Sequence, residues 1–249
     1  MFALSTGDHK DRPYKSMKSN PLIIALDTPS RLKALNLVHK LKVTGCAFKI
    51  GFELFSSAGP RFVERLVNHD VRIFLDLKFH DIPNTVARAA ETATKMGVWM
   101  FNVHAFGGSE MMRRTVDAVK TVVARKKIPP PLVVGVTVLT SFSDLHEINV
   151  PLSVDDQVIS LASLSQKSGL DGVVASGLEA AAIRKKMGKD FCIVTPGIRL
   201  PGSPPDDQKR TLTPAEALKN GSDYLVIGRP VIEALRPLKV MESILSKIR

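Results

Sequence analysis

From residue 21 onwards, eight short apolar runs rich in β-branched residues alternate with stretches of helical periodicity. The runs are Leu22–Leu26, Cys46–Ile50, Val71–Leu75, Trp99–Val103, Leu132–Val138, Gly172–Ala175, Phe191–Val194 and Tyr224–Ile227. Continuous apolar runs of this length suit strands buried on both faces, as in a parallel sheet covered by helices. Between them, Leu32, Leu35, Val38 and Leu41 recur at helical spacing after Thr28-Pro29. Met112, Val116, Val119 and Val123 form a second stripe, with Ser109 as a candidate cap. Thr213-Pro214-Ala215-Glu216 reads as a capping box with proline at the first helical position. Gly97, Gly169, Gly188 and Gly221 fall where helices should stop, and Pro237 should break or kink the last one. Eight such units without a change in composition predict a single (β/α)₈ barrel over residues 21–249. A doubly wound open sheet is the second choice, since it usually has fewer strands at this length.

The 249 residues, 44% hydrophobic and 24% charged, suffice for one such barrel and argue against global disorder. Residues 1–20 are polar and irregular and read as a flexible leader, within which Met17 is an alternative start. No apolar segment has the length of a membrane span or of a signal-peptide core, which points to the cytoplasm. Cys46 and Cys192 both fall in apolar runs, as expected of buried free thiols in a reducing compartment. The formal charge of +11 admits nucleic acid, an acidic membrane surface or a small anionic substrate. Nucleic acid is disfavoured. The basic residues are scattered along helical stretches, and the aromatics, only 6%, are not interleaved with them.

A barrel of this type carries its functional groups at the C-terminal ends of its strands. Polar residues gather there. Asp27 follows the first run, Lys49 ends the second, and Asp76 and Lys78 follow the third. Thr140 and Ser141 follow the fifth, Thr195-Pro196-Gly197-Ile198-Arg199 the seventh, and Gly228-Arg229 the eighth.

The third end is the most demanding, because Asp76, Lys78 and Asp81 are costly beside a buried strand unless they have a role. Carboxylates flanking a lysine favour its ammonium form, which can donate a proton but makes a poor amine nucleophile. Acid–base chemistry is therefore favoured over a Schiff base. The last two loops suit phosphate: Gly228 admits backbone N–H groups, Arg229 offers a donor fork, and Pro230 can begin a helix. Gly197 and Arg199 lie on the preceding loop, whose proline- and glycine-rich continuation through Gln208 could close as a lid.

The decapeptide Asp76-Leu77-Lys78-Phe79-His80-Asp81-Ile82-Pro83-Asn84-Thr85 resembles the bacterial type of orotidine 5′-phosphate decarboxylase. So, in order, do Thr195–Arg199, Asp207-Gln208-Lys209-Arg210 and Gly228-Arg229, and the resemblance runs from about Pro21 to the end. A bare Asp-x-Lys-x-x-Asp is shared with sister barrel enzymes acting on sugar phosphates; the extended decapeptide is far more specific. The resemblance implies a cofactor-independent and metal-free conversion of orotidine 5′-monophosphate to uridine 5′-monophosphate and CO₂. It implies that Lys78 protonates C6, that Asp76 faces the leaving carboxylate, and that Lys49 bridges the ribose and the acidic cluster. Asp27 would bind the ribose, Thr140 and Ser141 the pyrimidine, and Arg199, Gln208, Gly228 and Arg229 the phosphate. Asp81, Ile82 and Thr85 would reach into a neighbouring subunit's site, making the protein a homodimer.

Other readings stand beside this one. A metal-dependent sugar-phosphate enzyme on the same barrel would need a further carboxylate near the second strand, where Glu53 is the candidate. A Schiff-base aldolase would need a desolvated lysine late in the barrel. His80 is expected to pack rather than react, and His104 to line the pocket or fill the barrel mouth. Phe52 and Phe55 are expected to pack, and Met111-Met112 to place one side chain in the core and one at the surface.

Overall fold

The computed structural model describes residues 20–200 and 211–248. Its eight strands are β1 (Leu22–Ala25), β2 (Ala47–Ile50), β3 (Ile73–Phe79), β4 (Met100–His104), β5 (Leu132–Val136), β6 (Gly172–Val174), β7 (Cys192–Thr195) and β8 (Tyr224–Ile227). All pair in parallel with their sequence neighbours, and β8 closes onto β1 with Leu22 opposite Leu225, so the fold is the closed barrel expected. The connecting helices are α1 (Arg31–Leu41), α2 (Phe52–Ala58), α3 (Pro60–Val67), α4 (Pro83–Lys95) and α5 (Gly108–Lys126). They continue with α6 (Val154–Lys167), α7 (Ala180–Met187), α8 (Pro214–Lys219), α9 (Arg229–Ile232) and α10 (Pro237–Ile248). Asn20 already belongs to the barrel: its side chain donates to Thr44 O and accepts from the Leu22 N–H. Residues 1–19, most of the expected leader, lie outside the described residues.

Side-chain alternation along each strand builds two apolar layers. Ile23, Ala25, Phe74, Met100, Val134 and Val194 fill the barrel interior, whereas Leu22, Ile24, Phe48, Ile73 and Phe101 face the helices. Both cysteines are buried free thiols. The capping box before α8 is present, with Thr213 Oγ1 accepting from the Glu216 N–H and Glu216 from the Thr213 N–H. Gly97, Gly169, Gly188 and Gly221 all adopt positive φ behind their helices. Pro237 is the first residue of α10 rather than a kink within a longer helix.

Three local expectations need correction. Leu32 is 69% exposed, because the buried stripe of α1 is Ala34, Leu37, Val38 and Leu41, and Ser30 rather than Thr28-Pro29 caps it. Ser109 lies inside α5 and bonds Arg113, while Gly107 precedes the helix. Met111 and Met112 are both fully buried, because α5 packs against α4 on one side and towards α6 on the other.

The N-terminal end of the barrel is tied by charged side chains. Arg184 from α7 donates to Gly221 O, Gly188 O and Phe191 O and pairs with Asp223 at 2.6 Å. Asp223 also accepts from the Ile193 N–H, and Asp171 from the Val133 N–H. These bonds satisfy backbone groups where strands enter the sheet.

Candidate active site

At the opposite, C-terminal end of the strands opens a cavity of about 270 Å³. Its wall includes Asp27, Lys49, Asp76, Lys78, Thr140, Arg199, Gly228 and Arg229. Four basic side chains thus face two carboxylates, a balance suited to an anionic ligand. An apolar sector made by Val136, Val138 and Leu139 lies on the β5 side.

Asp76 is the hub. It is 8% exposed, and its Oδ1 accepts from Lys78 Nζ at 2.8 Å and from Asn102 Nδ2 at 2.7 Å, while Lys49 Nζ stands 3.2 Å from Oδ2. Lys49 also reaches Asp27 Oδ1 at 3.2 Å, linking the ends of β1, β2 and β3 into one charged chain. A Cβ on Gly51 would lie 3.1 Å from Lys49 Nζ, so the glycine leaves the ammonium its room. Burial opposes the charge on Lys49, but Asp76 and Asp27 outweigh it and hold the ammonium above its usual pKa. Burial likewise opposes ionisation of Asp76, yet Lys49 and Lys78 hold its carboxyl below the usual range. Opposite charges within a few ångströms thus outweigh desolvation on both sides.

Contrary to the expectation that Asp76 and Lys78 follow β3, both lie within it, on a distorted stretch. The β3–β4 register jumps from Leu75 opposite Phe101 to Phe79 opposite Val103, so β3 carries two more residues than its partner there. Lys78 takes a positive φ of 42° in this bulge, and its N–H donates to Asn102 Oδ1 at 2.8 Å. Asn102 is the residue that sequence reasoning missed. It sat inside an apolar run, and only the pairing of β3 with β4 reveals its partners.

At the other side of the cavity, Gly197 (φ 78°) turns the chain out of β7, and the Arg199 N–H donates to Leu212 O. Thr195 does not face the cavity; its hydroxyl is buried against Ser222 at 2.7 Å. Gly228 precedes α9, whose early turn holds Pro230. Gln208 lies outside the described residues, as does the loop segment expected to form a lid.

Several expected residues are not in this wall. Ser141 is exposed beside Thr140; Asp81 and Ile82 are exposed just before α4, and Thr85 in its first turn, with Ile82 68% accessible. Glu53, which the metal-dependent reading requires, is exposed on α2 and outside the wall. Phe55 packs into the outer core, whereas Phe52 is exposed and lies 5.6 Å below the Lys78 ammonium. His104 turns into a second cavity with His80 and Phe106 instead of this one. Its ring stacks on His80 at 5.2 Å, and burial, His80 and Lys78 lower its pKa to about 4.

Comparison with known proteins places this chain in one family. Residues 20–244 match the family model described as orotidine 5′-phosphate decarboxylase / HUMPS. The chain belongs to that family. Proteins named orotidine 5′-phosphate decarboxylase from Legionella pneumophila (strain Corby) and Neisseria meningitidis serogroup C (strain 053442) are 48% and 50% identical to it. Each alignment covers 90% of this chain, and 97% and 90% of the respective relatives. The crystal structure of orotidine 5′-phosphate decarboxylase from Lactobacillus acidophilus superposes with a TM-score of 0.81 at 36% identity, covering 93% of this chain and all of the other. The family match spans nearly the whole barrel, and the charged chain at the ends of β1–β3 lies within it.

Proposed function

We propose that this chain is a carboxy-lyase that converts orotidine 5′-monophosphate into uridine 5′-monophosphate and CO₂, the last step of pyrimidine nucleotide synthesis, without metal or cofactor. The observation that carries the reading is the Lys49–Asp76–Lys78 chain inside a predominantly basic pocket, in a member of this family. Loss of CO₂ from C6 leaves an electron pair on a carbon with no adjacent electron sink. A fixed ammonium at that carbon stabilises the developing charge electrostatically. Lys78 fills this role and then transfers its proton to C6, giving the product and a neutral amine that regains a proton from water.

Asp76 sits beside the leaving carboxylate and holds Lys78 at 2.8 Å. Asp27 and Lys49 bind the ribose hydroxyls, and Thr140 and Ser141 contact the pyrimidine edge. Arg199, Gln208, Gly228 and Arg229 take the phosphate, the arginines through paired N–H donors. Binding energy from that remote phosphate orients the ring over Lys78. Asp81, Ile82 and Thr85 project from the outer surface of their own subunit and complete the pocket of a second copy. That makes the working unit a homodimer, acting in the cytoplasm. Among the described residues, no helix is long and apolar enough to cross a membrane.

The test follows loss of orotidine 5′-monophosphate absorbance in the presence of EDTA. The wild type should turn over undiminished, and Lys78→Ala should lose at least about a thousandfold in kcat, as removal of a principal transition-state charge does. An inactive wild type, or a variant near full activity, overturns the mechanism.

A further inference from the structure

We infer that Asn102 is a positioning residue for the decarboxylation, holding Asp76 and Lys78 in their working geometry from the facing strand. This inference rests on the function proposed above. Asn102 lies on β4 between Phe101 and Val103, the two residues that pair with β3 on either side of the bulge. It therefore faces the stretch of β3 that has slipped out of the ladder. That slip removes the backbone partner that an undistorted parallel ladder would give the Lys78 N–H. The side chain of Asn102 replaces it, accepting from that N–H at 2.8 Å. The same amide donates to Asp76 Oδ1 at 2.7 Å, so both of its ends are engaged. At 1% exposure, Asn102 is shielded from bulk solvent.

The chemistry sets the orientation of the amide: only its NH₂ can donate to a carboxylate, and only its oxygen can accept from a backbone N–H. One side chain thus fixes two quantities at once. It pins the backbone of Lys78, a residue with a Cβ in the left-handed region at φ 42°, where such residues are strained. It also orients the carboxylate oxygen that Lys78 Nζ approaches at 2.8 Å. Without Asn102, the part-buried Lys78 N–H loses its side-chain acceptor, the bulge relaxes, and the ammonium moves relative to C6. A displacement of the order of 1 Å at a reacting group typically costs about a hundredfold in rate.

Asn102 bonds Lys78 and Asp76 from outside the described cavity wall, and this separates a positioning role from direct ligand binding. Asn102→Ala should lower kcat about a hundredfold, counted per site able to bind uridine 5′-monophosphate, with affinity for that nucleotide within about threefold of wild type. Asn102→Asp keeps the acceptor for the Lys78 N–H and replaces the donor to Asp76 with a second carboxylate. It should move the acid limb of the kcat profile to higher pH, since a like charge disfavours ionisation of Asp76. Titration calorimetry counts the competent sites, and steady-state assays from pH 4 to 9 supply kcat and KM.

The inference is overturned if Asn102→Ala retains kcat within about threefold of wild type, or if its loss lies in KM alone. If the alanine variant binds no nucleotide, the isosteric aspartate variant decides: an unshifted acid limb overturns the inference and a shifted one upholds it. An inactive wild type would instead strike at the proposed function, so the two failures are distinguishable.

Discussion

The Lys49 ammonium and the Asp76 carboxylate meet at 3.2 Å, with only 12% and 11% of their side chains exposed. Breaking such a pair from one side usually costs about 3–5 kcal/mol, because the remaining charge is left buried without a counter-ion. Here the two deletions are not equivalent. Lys49→Met leaves Asp76 with Lys78 and Asn102, whereas Asp76→Asn leaves Lys78 without its carboxylate and Lys49 with the exposed Asp27 alone, two ammonium groups side by side. Asp76→Asn should therefore be the more destabilising change in urea denaturation at pH 7. The pH dependence carries a sign for each. The lowered pKa of Asp76 gives stability that is present above about pH 4 and lost as pH falls through the folded-state value. The raised pKa of Lys49 gives stability that is full below about pH 10.4 and lost as pH rises through the folded-state value. Equal midpoints for the two variants, or a wild-type midpoint unchanged down to pH 3, would contradict this account.

Shared sites can be tested by mixing two inactive chains. Lys78→Ala keeps Asp81 to lend, and Asp81→Asn keeps Lys78 to use. In a heterodimer, one of the two pockets then has both wild-type residues. Random reassociation of equal amounts should restore about a quarter of the wild-type activity per chain, since half the dimers are mixed and each has one good site. The readout is absorbance decay after co-refolding. No recovery, with mixed dimers demonstrated by differential tagging, would place Asp81 outside the reaction.

The barrel was legible because eight buried parallel strands must read as apolar runs, and β8 matches its run, Tyr224–Ile227, residue for residue. The charged residues were legible because Asp27, Lys49 and Arg229 interrupt or end such runs, where burial would penalise them without a purpose. What stayed hidden depends on distant partners. Asn102 lies 26 residues from Asp76 and is recognisable only once β4 lies beside the bulge of β3. Leu32 fits the local period of α1 yet faces solvent, because the tertiary contacts of that helix select a stripe rotated from it. The His104–His80 stack likewise needs the ends of β3 and β4 to meet.

The two ends of the barrel should respond differently to mutation. Arg184 makes four backbone-directed bonds and one ion pair at the N-terminal end, remote along the strands from the pocket. Arg184→Ala should lower stability by about 2–4 kcal/mol, since several carbonyls and Asp223 lose a charged donor together. kcat should stay within about twofold of wild type at a temperature where the variant is folded, because the proposed site lies at the other end of the strands. Chemical denaturation and steady-state kinetics on the same preparation check both halves. A large fall in kcat with unchanged stability would reverse the assignment of the two ends.

His104 offers a separate reading of acid sensitivity. Its pKa is lowered to about 4 by burial, by His80 and by Lys78, and its Nδ1 is buried without a hydrogen-bond partner among the described residues. In the unfolded chain, the imidazole titrates near its ordinary value of about 6.5. Between roughly pH 4 and 6.5 the unfolded state therefore holds a proton that the folded state refuses, so folded stability falls as pH drops through that window. Above it, the neutral ring imposes no such penalty. His104→Phe keeps an aromatic ring to stack on His80 and removes both the titration and the unpartnered nitrogen. The variant should match or exceed wild-type stability at pH 7 and lose about one proton's worth of slope between pH 4 and 6.5. Urea midpoints at half-unit steps across that range decide it. Parallel wild-type and variant curves would assign the acid sensitivity to other groups, with the Asp76 carboxylate the first to examine at the lower edge.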